Sequence, residues 1–218
     1  MIQFYLSKAA VGDFKHLLEE PTPINYQAMQ WYLHKVTIAR RKCVIAMEKR
    51  SRYVITFCGL TKKEFAGFPQ LFSYWFSLHA LASVVEQQGQ DELLEQQAIE
   101  LAASISSGQT YQLGFDRSVT AHINQAIELL RYYVEERGYP LPVEPREAAI
   151  FSTRANETAR KSADFPDYFL PVTEFSKFWL GLLNYKPLPA VGAVLVDSTR
   201  KNYGANVIHV DFSKRKLP

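Results

Sequence analysis

The residues whose types and spacing best suit chemistry fall into two groups. The first is Arg40, Arg41, Lys42, Lys49, Arg50 and Arg52. With Lys62 and Lys63 they give positions 40–63 eight cations against one acid, Glu48, so this stretch carries +7 in a chain of net +3 and leaves −4 for the remainder. Guanidinium and ammonium groups at that density suit phosphate, because each neutralised phosphate releases counterions whatever the base sequence. The same residues also suit a solvated rim in which lysines keep an edge strand from pairing. The second group is Arg117, Ser118, His122 and Asn124, with Asn156 further on. An arginine and amides near the start of a helix can orient an anionic ligand, using the free backbone N–H groups there. The plainer alternative is a capped helix with a surface ion pair.

Other chemistry finds less support. The sequence has no Gly-rich phosphate loop, dinucleotide fingerprint, nucleophile elbow or helical zinc-protease motif, so it implies no cofactor. His16, His34, His79, His122 and His209 do not recur at metal-ligand spacing, and two cysteines cannot alone make a zinc site, so no metal is implied. Asp167, Glu174 and Lys177 resemble the Pro-Asp…Glu-x-Lys set of metal-dependent nucleases, but the last spacing is one residue too long and the segment reads as helix. Asn156-Glu157-Thr158 is a glycosylation triplet in letters only.

The elements that must position these residues follow from pattern. The 218 residues are 47% hydrophobic and 22% charged, enough for one ordinary core and unlike a disordered chain. Two cysteines exclude a disulfide-stapled secreted scaffold. The N-terminus lacks the charge order of a signal peptide and reads as a first strand through Ile2, Phe4 and Leu6. Positions 65–85 hold no Asp, Glu, Lys or Arg, but Pro69, Gln70, Ser73, Ser77, His79 and Ser83 interrupt them. This segment reads as a central core helix rather than a span, and the protein as cytoplasmic. An alternative use of the aromatic 69–85 helix is as the interface of a homo-oligomer.

Two β-rich runs, 41–48 and 52–58, predict a hairpin. A turn centred between Arg50 and Ser51 sets Cys43 opposite Cys58, Ile45 opposite Thr56 and Met47 opposite Val54. Packed thiols are expected there rather than a disulfide. Helices are expected over 9–19, from an Asn25 cap through Ala28, Trp31, Tyr32 and Val36, over 69–88 with Gly89 as its stop, and over 92–107 capped by Asp91. Further helices are expected from Asp116 or Ser118 to Gly138 with a Val119, Ile123, Ala126, Leu130, Val134 stripe, from Pro145, and from a Thr173 cap through Phe175 and Trp179. A short extra strand is expected over 109–115. The expected architecture is a single α+β domain over 1–186, a small antiparallel sheet built on the 41–58 hairpin and packed by mostly apolar helices. Residues 187–218 read as an extension, with one strand through Ile208, Val210 and Phe212 and a basic end at Lys214, Arg215 and Lys216.

Trp31-Tyr32, Arg40-Arg41-Lys42-Cys43-Val44, Lys62-Lys63, Asp116-Arg117-Ser118-Val119 with Asn124, and Asn156-Glu157-Thr158 occur in an order that resembles an uncharacterised bacterial family of unknown function. In that family's pattern the Trp-Tyr pair lies on a helix and the Arg-Arg-Lys-Cys-Val run on a strand. The resemblance covers roughly residues 1–160. Asp116 stands where the family usually has Asn, and the resemblance implies no activity. The function expected from the residues is therefore a non-catalytic binding module whose basic hairpin contacts nucleic acid or an acidic protein, with no membrane partner. The rival expectation is an enzyme or small-anion pocket around Arg117, Ser118, His122, Asn124 and Asn156.

Overall fold

Strand-forming residues fill both faces of a five-stranded sheet, which a computed structural model describes over residues 1–89 and 91–183. The strands are β1 (Ile2–Leu6), β2 (Met29–Ile38), β3 (Arg41–Glu48), β4 (Val54–Cys58) and β5 (Gln109–Leu113), in the order β4-β3-β2-β1-β5. β1 runs parallel to both β2 and β5, whereas β3 pairs antiparallel with β2 on one side and β4 on the other. The sheet is thus mixed and not purely antiparallel. The α+β class stands, and the hairpin forms one half of a larger sheet. Its register is the expected one, with Cys43 facing Cys58, Ile45 facing Thr56 and Met47 facing Val54. Both cysteines are buried free thiols.

The helices are α1 (Lys8–Phe14), which tightens into a 3-10 turn over Lys15–Leu17, α2 (Lys62–Ala66), α3 (Phe68–Gln88), α4 (Glu92–Ser106), α5 (Arg117–Arg131), α6 (Pro145–Asn156) and α7 (Pro171–Leu182). α5 runs on through a wide turn at Tyr132–Glu136. Asp91 caps α4 and Asp116 caps α5, each accepting first-turn N–H groups. Gly89, at φ 74°, stops α3. α7 starts at Pro171, two residues before the expected Thr173 cap.

One expected helix is a strand. Trp31 and Tyr32 lie on β2, and Asn25 accepts from Gln27 N at 2.9 Å in a turn leading into that strand instead of capping a helix. Ala28, Trp31, Tyr32 and Val36 do fall at helical spacing, but β2 is central and covered on both faces. Its buried residues therefore form a near-continuous run that hides the strand period of two.

The two faces bury different cores. Phe4, Trp31, Val44 and Phe57 meet α1, α3, α4 and α7 in an aromatic core that also holds Phe72, Trp75, Phe76, Phe175 and Trp179. Cys43, Ile45, Met47, Val54 and Cys58 meet Val119, Ile123, Ala126, Leu130 and Phe151 of α5 and α6 on the other face. The aromatic residues of α3 are therefore largely consumed within the chain. Among the described residues no helix is long and apolar enough to cross a membrane. The chain divides after Lys186, and every element named here belongs to the first unit. The expected extension 187–218, its strand and its basic end lie outside the described residues.

Candidate functional site

β3 separates the basic residues of the first group into two sets. Arg40, Arg41 and Lys42 are exposed at the tight β2–β3 turn, whereas Lys49, Arg50 and Arg52 follow the other end of the strand. Eight residues of strand hold the two sets about 24 Å apart.

The β2–β3 end gathers cations from other elements. Leu60 N donates to Lys42 O at 2.9 Å, which brings the start of α2, with Lys62 and Lys63, beside the start of β3. Lys15, His16, Lys42 and Lys62 line a recess of about 700 Å³ together with Asp13 and Phe65. Lys42 Nζ lies 2.6 Å from Asp13 Oδ1 and 5.4 Å from the centre of the Phe65 ring, and Lys35 Nζ lies 2.6 Å from Asp13 Oδ2. Burial alone would raise the Asp13 carboxyl, but hydrogen bonds from Lys35 and Lys42 outweigh it and hold the group below its ordinary range. The recess thus contains one acid, doubly engaged, beneath several cations.

The second cluster draws on both sequence groups. Arg52 is only 3% exposed, at φ 57°. Its Nη1 donates to Lys49 O, its Nη2 donates to Ser118 Oγ at 3.1 Å, and Nη2 lies 3.8 Å from Asp164 Oδ2. Arg160, 2% exposed, donates to Gln125 Oε1 at 3.0 Å and to the carbonyls of His122 and Ala155 at 3.3 Å each. Burial first, and then the charge of Arg52, pulls the Arg160 pKa down to about 10. Burial first, and then both guanidiniums, pushes His122 down to about 4, so at neutral pH its imidazole is uncharged. Burial also raises Tyr32, beside Arg52 and Asp116, to about 12.

Of the expected pocket, Ser118 and His122 reach this cluster. Arg117 and Asn124 are exposed on α5. Asn156 is wholly buried, and its side chain accepts from Val54 N at 2.7 Å and donates to Val54 O at 2.9 Å, which commits it to the edge of β4. Ser152 Oγ, one helical turn earlier, accepts from Thr56 N at 3.1 Å. α6 therefore seals the outer edge of β4. Arg160 was not among the expected residues. It stands beyond α6 in an irregular segment, where it forms a single bridge with Phe169, so no periodicity marks it. Among the described residues no group of three or more His, Cys, Asp or Glu is placed to hold a metal.

Fold and site together define an α+β domain with a mixed sheet, basic at one end and carrying two buried arginines at the other. The chain belongs to a family described as a domain of unknown function, DUF6933, whose profile matches residues 6–174. No curated protein matches the chain.

Proposed function

We propose that this protein is a binding module for a polyanion, with nucleic acid as the ligand, held against the end of the sheet where Arg40, Arg41 and Lys42 adjoin Lys15, Lys62 and Lys63. The observation that supports this reading is the convergence of lysines from the Lys15–Leu17 turn, β3 and α2 on one recess. Tyr53 and Phe57 are buried, so neither ring beside the hairpin is free to stack on a base, and the reading rests on phosphate contacts. Lys49 and Arg50 would make at most a second, separate contact. The guanidinium of Arg52 is already engaged inside the fold. A cytoplasmic setting is part of the proposal, supported by the two free thiols.

The rival pocket keeps support only in its inner half, where Ser118 and His122 approach two guanidiniums.

The test is binding of labelled single-stranded RNA and duplex DNA across a salt series. Log-linear loss of affinity is expected, its slope falling by roughly 0.7–0.9 for each phosphate contact removed by Arg41→Glu or Lys62→Glu. Arg50→Glu, at the far end of β3, should change the slope less. Binding of polyglutamate in preference to both nucleic acids would make the partner an acidic protein and overturn the nucleic-acid reading. Absence of binding at low salt would overturn the whole proposal.

A further inference from the structure

Two buried guanidiniums lie near the turn between β3 and β4: Arg52 has the carboxylates of Asp116, Asp164 and Glu48 around it, whereas Arg160 has none among its acceptors. Arg160 donates only to neutral acceptors, and the Nε atoms of Arg52 and Arg160 and Nδ1 of His122 have no hydrogen-bond partner. The carboxylates that offset Arg52 also accept other hydrogen bonds or stand off from it. Asp116 accepts from Val119 N at 3.0 Å, and Glu48 accepts from Ser51 N and Ser51 Oγ at 2.6 Å each. Asp164 stays 3.8 Å from Arg52, with its side chain 55% exposed. A buried cation without a close counter-charge is costly, and arginine is the side chain whose planar fork of donors best matches an oxyanion.

We propose that Arg52, Arg160, Ser118 and His122 form a binding site for one tetrahedral oxyanion, a free phosphate or the terminal phosphate of a larger molecule, and that Asp164 partly fills the ligand's electrostatic place. Arg160, the guanidinium with no carboxylate among its acceptors, supplies the charge that favours an anion. The unused Nε–H groups, the Ser118 hydroxyl and the neutral imidazole can supply donors to the oxygens of such a ligand. Ser118 is exposed, and it forms the entrance in the first turn of α5. This site shares no residue with the basic recess, and each proposal can fail alone.

The test titrates the intact protein with sodium phosphate, phenyl phosphate, sodium acetate and sodium chloride at matched ionic strength, reading melting temperature and phosphorus NMR. A saturable response to a phosphate, absent with chloride and weaker with acetate, is expected. Inorganic phosphate binding better than phenyl phosphate supports the site as one for the free ion, and the reverse supports it as one for a phosphate monoester. Asp164→Asn removes the competing carboxylate and should tighten binding by roughly threefold. Ser118→Ala should weaken it by a similar factor, and Arg160→Gln should weaken it at least tenfold, roughly the value of one charged hydrogen bond. The exposed positions Ser118 and Asp164 decide the question if the Arg160 variant does not fold. No saturable response in either the parent or Asp164→Asn protein, equal response to acetate, or weaker binding by Asp164→Asn would overturn the site and leave the orphaned donors to water only.

Discussion

Asn156 shows what one side chain can do for a strand that ends a sheet. Its amide presents an acceptor and a donor to Val54 in the manner of a neighbouring strand, and it is fully buried there. Asn156→Ala would leave an N–H and a C=O of Val54 unpaired inside the protein. It should cost about 2–4 kcal/mol in a urea titration, since each orphaned buried group costs roughly 1–3 kcal/mol. Asn156→Asp should be no better tolerated, because it sets a second acceptor against Val54 O. The letters Asn-Glu-Thr give no hint of this role, which depends on α6 lying across β4 from a position about a hundred residues later in the chain. Arg160 was equally hidden, whereas Ser118 and His122 were legible because a cap and a helical stripe place them on α5.

At the scale of elements, legibility followed how local each pairing is. The 41–58 hairpin could be read to the residue because its strands are joined by a short turn and a slip of one would exchange its faces. The parallel pairs of β1 could not, since its partners begin at Met29 and Gln109 and nothing in five buried residues names either. The β2–β3 turn adds a testable detail. Ile38 pairs with Arg41, and the two residues between them, Ala39 and Arg40, adopt φ 48° and 61°. Two consecutive left-handed residues suit the twist of a two-residue hairpin, but alanine adopts that conformation at a cost. Ala39→Asn should therefore stabilise the protein by about 0.5–1 kcal/mol in thermal or urea unfolding, leaving the charge of the basic end unchanged.

For the whole molecule, histidines held below their ordinary range by burial shape its response to acid, His79 and His122 most strongly and His34 in the same direction. His79, whose Nδ1 lies 2.9 Å from Tyr53 Oη in the aromatic core, is pushed by burial to about 4, as is His122 by burial and the two arginines. In the unfolded chain both take up a proton near pH 6.5, whereas in the fold they resist until about pH 4. Their contribution is therefore complete above pH 6.5 and is lost as pH falls from 6.5 to 4, His79 alone accounting for on the order of 3 kcal/mol. Urea midpoints measured across that window should fall, and His79→Gln should flatten the decline. An unchanged slope in that variant would assign the acid sensitivity elsewhere.

All three tryptophans, Trp31, Trp75 and Trp179, belong to the core on one face of the sheet, and both cysteines belong to the core on the other. The protein thus carries a separate built-in reporter for each layer. Intrinsic fluorescence follows the α3, α4 and α7 side, while thiol labelling follows the α5 and α6 side, so the two signals together can distinguish a concerted transition from the peeling of one helical layer.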